Sequence, residues 1–197
     1  MSLVATTKRT KLAVYLGEAK EHLRITDDDS DHNERINRLI MAATEQVEQI
    51  LGAKLTPYTM QLSLDGFPRD DKNGDIPLDL RVYPVNSITS FVYDDSTNTE
   101  TSMTLGTDYW EDLSGRYPKL SPLTSWPSAY PDKPASVRVT MAVGYADHDD
   151  VPEDIRQAIL YLIKEMFDYG NEWVMGTHAT YTNMINKLLF QHKRISL

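Results

Sequence analysis

The stretch "ADHDDVPEDIRQAILYLIKEMFDYG", residues 146–170, changes character in the middle. Asp147, His148, Asp149, Asp150, Glu153 and Asp154 crowd its first nine residues, and an apolar run follows. Carboxylates around a histidine can hold a metal or carry out acid–base chemistry. They can equally be the polar start of a buried helix. The apolar residues decide between these readings. Ile155, Ile159, Leu162, Met166 and Tyr169 step by four, three, four and three, the period of one helix face. Leu160, Ile163 and Phe167 widen that stripe, so the helix is expected to be covered on more than one side. Pro152 stands close to the first helical position, and Glu153 and Asp154 in the first turn favour the positive end of the helix dipole. The cluster therefore reads as helix initiation, with His148 and His32 as solvated bystanders.

The same rhythm appears near the other end of the chain. "VYLGEAKEHLRI" puts Leu16, Ala19 and Leu23 on one face. "DDDSDHNERINRLIMAATEQVEQILG" gives Ile36, Ile40, Ala43, Val47 and Ile50 in steps of four and three, with Leu39 and Leu51 widening the stripe. Gly52 follows the last turn, where a glycine ends a helix in the left-handed conformation.

Between the helical zones the pattern has period two. Residues 57–145 hold every proline except Pro152. "YTMQLSL" alternates Tyr58, Met60, Leu62 and Leu64 with polar partners, and "SVRVTMAVGY" alternates Val137, Val139, Met141 and Val143. "SITSFVYDD" and "ETSMTL" flank the turn-rich "DDSTNT", which marks a hairpin. The expectation is an α+β protein, one domain over residues 1–197. Residues 10–55 and 151–197 form a helical core, and residues 57–145 form an inserted, β-rich subdomain built on a small antiparallel sheet. None of these helices can bury its stripe alone, so the two chain ends must meet.

Composition narrows the function. The 197 residues include no cysteine, which excludes disulfides, thiolate zinc sites and cysteine nucleophiles. No apolar run approaches the ~20 residues that span a bilayer. The N-terminus lacks the apolar core and cleavage site of a secretion signal, so a soluble, unexported protein without membrane contact is expected. A net charge of −9 argues against a sequence-independent nucleic-acid binder.

Candidate chemistry is thin. "DDDSDHN" (residues 27–33) spaces three aspartates as a calcium loop does, but His32 and Arg38 stand where that loop needs glycine and glutamate. "DDKNGD" (residues 70–75) fails similarly. There is no G-x-S-x-G, no glycine-rich phosphate loop and no H-E-x-x-H. The five histidines share no metal-ligand spacing. Glu18 and Glu21 read as a solvated helix face. No catalytic, metal or cofactor residue is assigned, and a small metal-dependent hydrolase using the acidic segments is the competing class.

Two features point to interaction. Tyr109, Trp110, Tyr117, Trp126 and Tyr130 concentrate in the proline-rich half of the insertion, where they either cover the sheet or form an interface. The segment 184–197 is basic and apolar, with Leu188, Leu189, Phe190, Lys193 and Arg194. It either folds on docking with a partner or packs as a short helix on its own subunit. The candidate interface residues are Ile155, Ile159, Leu162 and Met166 on the closing helix, Trp110, Trp126 and Tyr130 in the insertion, and the five tail residues just named.

Several phrases, in this order, resemble one family. "LGEAKEHLRI" followed by an acidic run and "INRLIMAATEQVEQILGAKL" resembles the opening helices of the head–tail connector (adaptor) proteins of tailed bacteriophages, in the branch with a β insertion that carries a DNA-packaging label. "MQLSLDGFP", "YPVNSITSFVYDD", "DYWEDLSGRYPKLSP" and "VRVTMAVGY" resemble that insertion. "VPEDIRQAILYLIKEMFDYGNEW" resembles the closing helix, and "MINKLLFQHKR" the ending. The chain departs from the pattern at "GNEW" and at "VMGTHATYT". The resemblance implies a structural protein of the virion, found at the head–tail neck and in the host cytoplasm during assembly. It also implies a ring of its own copies, typically twelve-fold, below the portal protein, forming a platform for the next neck or tail protein. Double-stranded DNA would pass through the ring without sequence-specific binding. No active site and no cofactor come with the family, and another neck or tail-completion protein of the same particle is the nearest alternative.

Overall fold

Helical and alternating segments sort into two compact units in the structure, a computed structural model that describes residues 1–7, 9–26, 30–70, 74–169 and 178–194. One unit combines residues 1–8 and 57–144; the other combines residues 9–56 and 145–197.

The first unit is β-rich. Its main sheet has the order β1–β2–β10–β6–β7, formed by β1 (Ser2–Ala5), β2 (Tyr58–Leu64), β10 (Val137–Val143), β6 (Val85–Asp94) and β7 (Glu100–Ser102), and every pairing is antiparallel. Alternation fixes the register. Leu62 lies opposite Val139 and Met60 opposite Met141, so one face buries Met60, Leu62, Val137, Val139 and Met141. The hairpin read at "DDSTNT" joins β6 to β7. There the Asp95 carboxylate accepts the Thr97 and Thr99 backbone N–H groups at 2.8 and 3.0 Å. A second sheet, β5 (Leu78–Asp79), β9 (Lys119–Pro122) and β8 (Tyr109–Asp112), supplies Leu78 and Leu120 to the same core. A short β3 (Arg69–Asp70) and β4 (Gly74–Asp75) pair by themselves. The strand β1 carries no sequence signal: four residues with one half-buried position are too short to show a period.

The second unit is helical: α1 (Leu16–Leu23), α2 (Asn33–Leu51), α3 (Glu153–Tyr169) and α4 (His178–Phe190), with a 3₁₀ turn at His148–Asp150. The helix α3 packs against α1, α2 and α4, which is why its stripe is wide: Ile155, Ala158, Ile159 and Ile163 are fully buried, and Leu160 and Leu162 nearly so. On α2 the stripe is rotated from the sequence reading. Thr44 and Glu48 are buried, and Ile50 and Leu39 are only half-buried. The Thr44 hydroxyl donates to the Ile40 carbonyl at 2.6 Å, which satisfies it without a partner outside the helix. Gly52 has φ +66° and ends α2 with its N–H on the Glu48 carbonyl.

Candidate functional site

The acidic start of α3 is a structural joint. Asp147 and Asp150 close the 3₁₀ turn, with the Asp150 carboxylate accepting the Asp147 N–H at 3.1 Å. Lys11 donates to the Asp147 carboxylate and to the Ala146 carbonyl. The third and fourth N–H groups of α3, on Ile155 and Arg156, donate to the Pro152 carbonyl. Arg156 pairs with both Glu153 and Glu18. Glu18 is therefore not simply a solvated residue: it also accepts the Tyr15 N–H at 3.0 Å and caps α1.

His148 and His32 are not bystanders. The His148 side chain is 13% exposed and its ring centroid lies 3.8 Å from that of Tyr15. His32 packs its ring on Phe167 at 5.9 Å. The sequence shows neither contact, because each joins residues more than 100 positions apart. Among the described residues no group of three His, Asp or Glu is placed to hold a metal ion. Residues 27–29 and 71–73, which belong to the two calcium-like runs, lie outside the described residues, as do residues 170–177 around "GNEW" and "VMGT". An open depression of about 600 Å³ is lined by Glu21, His22, Arg24, Tyr161 and Lys164. There burial, and then the Lys164 charge, push the His22 imidazole below its usual range.

The interaction candidates divide sharply. Ile155 and Ile159 are fully buried and Leu162 is 5% exposed, so these residues hold the helical unit together and offer nothing to a partner; Met166 is half-buried. Trp126 is core: 2% exposed, its ring stacks on Phe67 at 5.1 Å and its Nε1–H donates to the Ile76 carbonyl at 2.9 Å. Tyr109 is buried beside Phe91. Tyr130 is half-buried and donates its backbone N–H to the Asp94 carbonyl at 2.7 Å.

Trp110 is the opposite case. It follows the inward Tyr109 on β8 and so points outward, 59% exposed. Tyr117 is 48% exposed. Sequence reading missed Leu105 and Leu123, also exposed, because single leucines in loops give no periodic signal.

The tail segment forms α4, packed on α3 of its own subunit through Ile185 and Leu189, which are 4% and 1% exposed. Leu188 is half-buried, and Phe190 stands 75% exposed. Beyond α4 the chain is tied down: the Arg194 N–H donates to the Leu51 carbonyl at 3.0 Å, and Gln191 and His192 meet the Asp154 carboxylate. Lys193 is exposed.

No curated protein sequence matches the chain. Solved structures do match over its whole length. A chain in the virion of a native gene transfer agent particle superposes with a TM-score of 0.77 at 18% identity, covering 100% of this chain and 97% of that one. Chains in the neck of the empty particle, computed with C6 symmetry, and of the native particle, computed with C12 symmetry, give 0.76 and 0.70 at the same identity and coverage. At that identity the likeness is one of fold. The model of the phage gp6-like head-tail connector proteins matches residues 13–110, which take in α1, α2 and the insertion as far as Trp110. The chain belongs to this head-tail connector family.

Proposed function

We propose that the protein is a structural subunit of the particle neck, assembling head to tail into a closed ring below the portal protein. The ring extends the DNA channel and presents a platform for the next neck or tail protein. One observation carries this reading: the fold, over its full length, is that of chains in particle necks whose structures were computed with C6 and C12 symmetry. Twelve copies per ring is the expectation. The helical unit and the β-rich insertion act as one connector domain. The protein works in the virion neck and passes through the host cytoplasm during assembly.

Charge fits the role. A channel that lets DNA slide must avoid the many Lys–phosphate contacts that bind it tightly, and a net charge of −9 does so. The function is assembly rather than catalysis. Producing particles without this chain tests the reading: heads without attached tails are expected. Normal tailed particles would refute it.

A further inference from the structure

Trp110 and Phe190 are the two most exposed aromatic side chains among the described residues, at 59% and 75%. A lone exposed apolar residue needs no explanation, but each of these sits in a characteristic setting. Trp110 lies on β8, the edge strand of its sheet. Tyr109 opposite Pro122 faces the core, so Trp110 shares the outer face with Leu123, 42% exposed; Leu105, 49% exposed, lies just upstream. Asp108, Glu111 and Asp112 all lie within two residues of Trp110; Asp112 shares its face, with Lys119 opposite it, and Glu111 is exposed on the other side of the same edge strand. Phe190 is the last residue of α4, whose inner side is taken by Leu189. Lys187 and Lys193 beside it are exposed, and no acidic residue follows Glu172.

We infer that Phe190 of one subunit docks on the Trp110 surface of a neighbouring copy, so that the basic end of α4 meets the acidic edge strand β8. This rests on the connector reading above and deepens it. The two surfaces differ and lie on different units of one chain, so the contact is heterologous, the type that closes into a ring. Either surface facing itself would oppose like charges, which works against an isologous dimer. Aromatic anchors flanked by charge of opposite sign are the usual composition of an interface centre and its rim.

Sedimentation velocity of the full chain over a concentration series, at low and at high salt, tests the contact. Trp110→Ala and Phe190→Ala should each weaken self-association about tenfold or more, the scale of an interface anchor. Both should leave the thermal melt of the dilute, dissociated chain unchanged, because both side chains are exposed. Glu111→Lys and Lys187→Glu should each weaken it too. Mixing those two charge-reversed proteins should restore it, since each then offers the other its complement. Assembly that is indifferent to all four substitutions overturns the contact while leaving the connector reading intact. A wild-type chain that stays monomeric at every soluble concentration, with and without portal, overturns both.

Discussion

The Glu48 carboxylate, 3% exposed in the last turn of α2, accepts the Leu55 backbone N–H at 2.9 Å. Lys54 Nζ lies 2.9 Å and Arg9 Nη2 3.3 Å from its other oxygen. A carboxylate near a helix C-terminus opposes the helix dipole, so its position needs another cause. Arg9 and Leu55 supply it. One follows the chain's first passage between the two units, and the other precedes the second. Glu48 thus fixes both strands of chain at the end of α2. Glu48→Ala should cost about 2 kcal/mol in urea unfolding, below the full cost of breaking a buried pair because Arg9 and Lys54 can turn to water. Glu48→Gln, which can still accept the Leu55 N–H, should cost less.

Asp94 is the buried carboxylate through which the β-rich unit should lose stability in acid. Its carboxylate, 3% exposed, takes Arg138 Nη1 and Nη2 at 2.8 and 3.1 Å and Lys133 Nζ at 2.8 Å. Arg138, and then Lys133, hold the Asp94 carboxyl far below the usual carboxylate range. A depressed folded-state value stabilises above the unfolded one, and that stability is lost as the pH falls through the folded value. Asp94→Asn should cost about 2 kcal/mol at neutral pH. The gap in melting temperature between wild type and variant should shrink below pH about 4, where the unfolded aspartate takes up its proton. A gap that stays constant down to pH 3 would show that the negative charge of Asp94 contributes nothing to it.

The two tryptophans beside the second sheet should behave oppositely. Trp126→Ala removes a buried ring stacked on Phe67 and orphans the Ile76 carbonyl, for a loss of about 3–5 kcal/mol. Trp110→Ala should stay within about 0.5 kcal/mol of wild type. Chemical denaturation of both variants makes the comparison.

The residues just after α4 are held by a partly exposed contact. Asp154 meets His192 and Gln191, and the contact with His192 keeps its carboxyl below the ordinary range. Asp154→Ala should cost under about 1 kcal/mol globally. It should nevertheless speed hydrogen exchange at the Arg194 N–H, whose bond to the Leu51 carbonyl depends on the same turn. Unchanged exchange at Arg194 would mean that this carboxylate does not hold the segment.

The periodic parts of the fold were legible in the sequence. The stripe of α3, the alternation of β2 and β10 and the β6–β7 hairpin follow from spacing and turn chemistry alone. What stayed hidden depends on long-range pairing. Glu48 and Thr44 look like surface residues until Arg9, Lys54 and the Ile40 carbonyl are seen to satisfy them. His148 reads as a solvated residue until Tyr15 packs against it. The aromatics of the insertion are alike in composition, and only the register of β8 separates inward Tyr109 from outward Trp110. The apolar residues of α3 were legible as a stripe but not as core or interface, since both present the same pattern until a second and third helix cover them.

Electron microscopy of the purified chain mixed with the portal protein of the same particle tests the connector account most directly. Closed rings of this chain seated on the portal, with one rotational symmetry throughout, are the expected result. A chain that remains monomeric and leaves the portal bare would contradict it.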